Sequence, residues 1–470
     1  MELKWRDLKS NKKLIFVLSI SICIQITIFL IVQLSNWISQ KPDDGFWFKF
    51  LTQTIEPYSD YKIWYQTFAK QTLYENWLPY LKLFHIELTE AEWYHYWFVE
   101  NEDLFLNFIY PPFFYYILIL PSFISIQLMF LPLLITNVLL PILIYKFLNN
   151  SFNQKVAEWG FIATAINPLY LFYSGGLALN SSLITFFFVL TLYFISTSRF
   201  GYSIVSFAVS ILFKQIMIFL APPIIMFITL KSAIDKKYPF LNNYKKKFFF
   251  YSAILGIILF LGSLPWFLIA PGNYLFTMIA PGVEHPTLVP TFHFPYPHYH
   301  YPIFWYDFLY SLKAPTFLFW IFGFLNFTYV GIISLEIVIM KILFTWHKKG
   351  ILNWVKFLDI IMYSTFLSYL FFPRGLYKYY FTFYVPLVVL WVCFHFSYRL
   401  SKNNSKGTTW TLIIGLISII FMLLPRTYYL LLIWGVFFYI LKKNRILTEK
   451  MLNDTSTENV SMISQDNLKK

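Results

Sequence analysis

Apolar runs of about twenty residues recur along the whole chain, beginning with Leu14 to Leu34, and about twenty is the length a helix needs to cross a bilayer's hydrocarbon. In lipid the backbone must satisfy its own hydrogen bonds, so such runs fold as helices. A transmembrane β-barrel would instead alternate apolar and polar residues over segments of about ten. With 58% apolar and 13% charged residues and a mean hydropathy of +0.57, the expected class is an all-α polytopic membrane protein.

The net charge of +14 gains its meaning from where it sits. Basic residues gather in short loops: Lys4 to Lys13, Lys231 to Lys247, Lys348 to Lys356, Arg399 to Lys406 and Lys442 to Arg445. These read as cytoplasmic anchors under the positive-inside rule. No soluble basic patch of domain size remains, which excludes a nucleic-acid partner. Cys23 and Cys393 lie inside apolar runs and suggest no disulfide framework. The first run follows a basic start as a signal peptide does, but it is too long and lacks a convincing cleavage site, so it is expected to stay as an anchor.

Requiring basic loops to share one side predicts helices near 14–36, 108–126, 127–147, 157–174, 177–197 and 203–230. Six more follow near 248–270, 312–345, 357–373, 380–398, 409–424 and 427–441. That is about 12 crossings (range 11–14), with both termini inside. The count turns on the nearly neutral stretch 147–155 and on the Ser174-Gly175-Gly176 break, whose side changes if 203–230 is two half-helices around Lys214. Residues 1–13 form a cytoplasmic start, and 442–470 a polar cytoplasmic tail expected to be disordered.

Two segments are left for water-facing chemistry. The large loop 40–107, expected outside, carries an acidic excess opposite in sign to the rest of the chain. The stripe Tyr61, Trp64, Tyr65, Phe68 within it reads as a helix lying in the membrane interface. The loop closes on Tyr110-Pro111-Pro112. The second segment, 271–307, holds no lysine or arginine, and its prolines, aromatics and histidines suggest an ordered lid.

Asp60-Tyr61-Lys62-Ile63-Trp64-Tyr65, Tyr110-Pro111-Pro112-Phe113, Lys214-Gln215 and Pro373-Arg374-Gly375-Leu376-Tyr377-Lys378 stand in an order that resembles the GT-C superfamily of polyprenyl-phosphate-sugar-dependent glycosyltransferases. The likeness spans residues 60 to 386. It implies a GT-C-like catalytic module over 14–398, followed by C-terminal helices over 399–441. Also implied are a polyprenyl-phosphate sugar donor, mannose or glucose as the sugar, and a lipid-linked glycan, glycolipid or protein acceptor on the external or lumenal face. The host is expected to be a prokaryotic plasma membrane, with endoplasmic reticulum as the alternative. The Trp-Trp-Asp of the oligosaccharyltransferase branch and a soluble C-terminal catalytic domain are both missing.

Transfer to a hydroxyl requires a carboxylate to take its proton. The resemblance assigns that role to Asp60, which alternatively caps the helix that follows it. Glu102 and Asp103, just ahead of the Tyr110 turn, are candidates to assist the acceptor. Arg374 and Lys378 are cations on the side opposite the basic loops. They suit a leaving lipid phosphate, unless they simply snorkel to headgroups. Lys214, an intramembrane charge, is a substrate-binding candidate by default. His293, His298 and His300 suit hydrogen bonds to sugar or phosphate, with a metal site as the weaker reading for lack of a nearby Asp or Cys. No cofactor is required. A divalent cation at Asp43 and Asp44 is the alternative, although Lys-Pro-Asp-Asp-Gly is also an ordinary turn. Glu336 and Lys341, in one span, are expected to compensate each other or approach the inner surface, and Asp359 with His395 to make the same kind of polar helix contact. Competing functions are a transporter or flippase for a lipid-linked glycan, and an assembly factor for surface polysaccharide.

Overall fold

A computed structural model describes residues 11–39, 65–74, 110–234, 243–279, 309, 312–327, 330–370, 378–402 and 404–424. Among them every regular element is helical. Seven helices are long and apolar enough to cross a membrane, or up to eight if one sharply bent pair counts as a single span. Large apolar side chains face outward on these helices, with Phe249 70% and Leu412 67% exposed. That arrangement is favourable in lipid, where no hydrophobic force drives one helix onto another.

The chain opens with α1 (Lys12–Ser39) and α2 (Thr67–Tyr74), then α3 (Pro112–Ser122) and α4 (Phe130–Ser151). Next come α5 (Gln154–Ala165), a π-helical turn (Tyr170–Gly176), α6 (Ser181–Ser196) and α7 (Phe200–Phe213). A 3-10 turn (Gln215–Leu220) leads into α8 (Ala221–Ile234), followed by α9 (Tyr244–Ile269) and α10 (Pro271–Ile279). The last group is α11 (Thr316–Phe327), α12 (Val330–Lys348), α13 (Trp354–Leu370), a 3-10 turn (Lys378–Phe383), α14 (Tyr384–Lys402) and α15 (Asn404–Leu423).

One rim of the bundle collects basic residues. Asn11 Nδ2 donates to Glu158 Oε1 at 2.7 Å, and Lys13 Nζ lies 5.4 Å from the Trp159 ring. Lys146 lies 5.8 Å from the Tyr193 ring and Lys231 5.0 Å from Trp354. Phe147 and Phe227 both pack on Trp354, at 5.7 and 5.4 Å, which ties these helix ends together. The described stretch of the large loop lies at the opposite, far end, where the Tyr115 hydroxyl donates to Thr72 Oγ1 at 3.3 Å.

Two expected spans are corrected by this geometry. The 108–126 run is not a crossing. Its helix α3 has 11 residues, about 16 Å long, against the roughly 30 Å of hydrocarbon. Phe113 lies 6.2 Å from Phe213, and Tyr116 stacks on Trp266 at 6.4 Å. Since α9 climbs from Lys247 at the basic rim towards Trp266, α3 leads away from that rim. Conversely, the 203–230 run is two segments, α7 and the span Gln215–Ser232, broken at Lys214. Like α3, α7 with its 14 residues is not among the helices long and apolar enough to cross by themselves. Lys146 over the Tyr193 ring, and Asn150 Nδ2 donating to the Tyr193 hydroxyl, set residues 147–155 and 198–199 together at the basic rim.

Intramembrane polar residues join helices as expected. Asp359 Oδ1 accepts from Trp391 Nε1 at 2.6 Å and lies 3.0 Å from His395 Nε2, linking α13 to α14. Glu336 accepts from the Ser364 hydroxyl at 2.7 Å, so its cross-helix partner is a serine on α13. Cys23 and Cys393 are free thiols. Beyond α9, α10 is held by the Tyr274 hydroxyl donating to Ser263 Oγ at 2.6 Å. Burial lifts the Tyr274 phenol above its ordinary pKa, with the Ser263 hydrogen bond opposing, so it remains a proton donor at neutral pH.

Candidate functional site

Two chain breaks meet at the far end, and the local sequence accounts for each. Asn167 precedes Pro168, which disfavours continued α-helix, and α5 ends there. Asn167 Oδ1 accepts from the Leu169 and Tyr170 backbone N–H groups at 3.1 and 3.4 Å, while its Nδ2 donates to Ser418 Oγ at 2.8 Å. The π-helical turn that follows carries Gly175 and Gly176. A Cβ at either would meet Gln25 or Ile28 of α1, so bare backbone is what lets α1 dock. Ala178 then takes a left-handed φ of 52°, costing about 1–2 kcal/mol. The chain re-enters helix at Ser181 with a bend of 112°. π-Turns of this sort occur disproportionately at functional sites.

A polar chain crosses this bend. Ser181 Oγ donates to Ser174 Oγ at 3.4 Å, and Ser174 Oγ donates to Asn137 Oδ1 of α4 at 2.9 Å. The Tyr170 hydroxyl donates to the Asn137 carbonyl at 3.2 Å. That carbonyl lacks a helical partner because Pro141, four residues on, has no N–H. On the outer side the Asn180 backbone N–H donates to the Tyr65 hydroxyl at 3.2 Å. Tyr65, fully buried, packs edge-on to Phe114 at 4.8 Å and Tyr110 at 6.0 Å. Tyr65 of the large loop and the Tyr110 turn are therefore seated on the start of α6.

The second break is Lys214, whose extended backbone (φ −156°, ψ 120°) separates α7 from the 3-10 turn. Ser206 and Ser210 of α7 donate their hydroxyls to the Phe187 and Ile184 carbonyls of α6, at 2.8 and 3.0 Å. Continuing that antiparallel register by one turn brings Lys214 level with Asn180. The Lys214 side chain is buried, with Nζ 3.6 Å above the Tyr380 ring. Tyr380 belongs to the 3-10 turn Lys378–Phe383, which packs on α6 and on the π-turn. Lys214 thus stands level with the N-terminal end of a 16-residue helix, and a cation at the level of that positive end favours anions.

Of the residues singled out from sequence, Tyr110 and Lys214 lie at this site, and Lys378 opens the turn that carries Tyr380. Asp60, Glu102, Asp103, His293, His298, His300 and Arg374 lie outside the described residues, as do Asp43 and Asp44. Among the described residues, no group of three or more His, Cys, Asp and Glu is placed to hold a metal ion. Sequence reasoning read Ser174 only as part of the Ser174-Gly175-Gly176 break and passed over Asn137, Asn180 and Ser182. The available signal for the last two was an Asn-Ser-Ser run opening an apolar stretch just after Gly-Gly, a helix-start pattern.

Comparison with protein-family models, with curated proteins and with solved structures yields no match.

Proposed function

We propose that this protein is a membrane glycosyltransferase of GT-C type, moving a hexose from a polyprenyl-phosphate donor to a hydroxyl acceptor at the far end of the bundle. One observation supports the reading above others. Tyr65, five residues beyond Asp60, the Tyr110 turn, the Lys214 break and the Lys378–Phe383 turn just beyond Arg374 all gather around the start of α6. The described parts of those segments, far apart in the chain, thus share one location.

In the proposed reaction the acceptor hydroxyl attacks the anomeric carbon and gives its proton to the Asp60 carboxylate. The anomeric carbon–oxygen bond to phosphate breaks, and its electron pair leaves with the lipid phosphate. Stereochemistry at that carbon is inverted. Arg374 and Lys378, with His300, would receive the charge developing on phosphate. Glu102, Asp103, His293 and His298 would contact sugar or acceptor. About 12 crossings, an external or lumenal active site and a prokaryotic plasma membrane belong to the same proposal.

The helix breaks also fit a transporter, whose discontinuous helices bind substrate near the bilayer midplane. Depth argues against it. The 16 residues of α6 set Asn180 about 24 Å from the basic rim, past the midplane of a roughly 30 Å core and close to its far boundary. The decisive assay offers purified protein a panel of labelled polyprenyl-phosphate sugars, wild type beside Asp60→Asn. Transfer by wild type, with about a hundredfold loss or more in the variant as expected for a general base, upholds the reading. Glycolipid crossing liposomes with no turnover of any donor replaces it with transport.

A further inference from the structure

We infer that the start of α6 is a binding site for one anionic phosphate group, formed by the first-turn N–H groups, the Asn180 amide, the Ser182 hydroxyl and the Lys214 ammonium. The observation beyond the helix terminus itself is a pair of side chains. Asn180 and Ser182 are both 0% exposed, and Asn180 Oδ1, Asn180 Nδ2 and Ser182 Oγ make no hydrogen bond among the described residues. Asn180 occupies the N-cap position without capping the helix. Burying such groups unpaired costs about 1–3 kcal/mol each, and a chain has no reason to retain three such atoms in one turn for stability.

The chemistry of the groups selects the ligand. Around the bend Asn180 Nδ2, the Ser182 hydroxyl and the N–H groups of the first turn are donors, and Lys214 stands level with them; Asn180 Oδ1 is an acceptor and takes no part in holding an anion. A phosphate, with several acceptor oxygens and negative charge, matches donors at a helix N-terminus. Under the function proposed above, on which this identification rests, the group is the phosphate of the lipid donor. Asn180 and Ser182 then hold it from the helix side, opposite the turn that follows Arg374.

The test uses full-length protein in nanodiscs and measures binding of polyprenyl monophosphate, matched neutral polyprenol and inorganic phosphate. Wild type is expected to bind the lipid phosphate and not polyprenol. Ser182→Ala, Asn180→Ala and Lys214→Met should each weaken binding about tenfold or more, as loss of a hydrogen bond to a charged group does, with Lys214→Arg retaining it. Because the two alanine variants delete atoms that lack partners among the described residues, their unliganded melting temperatures should equal or exceed wild type. A merely structural role predicts lower ones. Competition by inorganic phosphate marks recognition of the headgroup alone, and its failure marks a need for the lipid chain as well. Either result supports the site.

Unchanged affinity in the variants, or equal binding of polyprenol, overturns the proposal. Sugar transfer with unchanged affinity in the alanine variants sinks this site and leaves the enzyme standing. Phosphate binding that the variants abolish, with no transfer from any donor, does the reverse.

Discussion

Tyr170 and Pro141 illustrate how single residues here compensate one another across helices. Pro141 removes an N–H from the middle of α4, and the Tyr170 hydroxyl supplies the donor that the Asn137 carbonyl would otherwise lack. Tyr170→Phe should therefore destabilise the protein by about 1–2 kcal/mol, the cost of an unpaired buried carbonyl. In a Pro141→Ala background the backbone bond is restored and the same change should cost almost nothing. A double-mutant cycle on thermal unfolding in detergent checks this, and equal costs in both backgrounds would refute the pairing. At this scale the sequence was informative about residue types and silent about partners. Lys214 announces itself as a charge among apolar neighbours. Asn137 and Asn180 are ordinary amides until α4, α5 and α6 are packed, because only packing determines which atoms water and other side chains can reach.

Among the elements, polar side chains fasten α13 to α14 where apolar contact alone cannot. Asp359 accepts from Trp391 and lies against His395, both buried on α14. Removing one member strands the others in low dielectric. Asp359→Ala should cost about 3–5 kcal/mol, the range for breaking a buried charged pair by truncation, read as a fall in melting temperature. Replacing all three residues with apolar ones of similar volume should cost far less. The Asp359–His395 contact was legible because two ionisable groups in apolar runs need each other. The helix breaks were harder to place. Gly175-Gly176 marked the first, and Lys214 offered the second only as an alternative to one span, since hydropathy averages over a single lysine in the run from Ser203 through Leu230 and ignores backbone direction.

For the molecule as a whole, the antiparallel run of α4 to α7 sets the 147–155 and 198–199 turns together at the basic rim. A membrane-impermeant thiol reagent applied to cysteine-free protein carrying Asn153→Cys, Ser198→Cys or Tyr74→Cys should label the first two from one face and the third from the other. Labelling of position 153 from the same face as 74 would restore the original topology. Composition and run length alone determined that this chain is a bundle of membrane helices with basic residues gathered at one rim. Transfer free energy depends on local residue content, and every crossing carries its own record of it. Tertiary structure alone decided that α3 does not cross, that the chain turns at Lys214, and that Tyr65, Tyr110, Asn180 and Lys214 share one site. Those outcomes depend on contacts between residues from 19 (Ser206–Phe187) to 166 (Lys214–Tyr380) positions apart, and a hydropathy window does not register which residues touch.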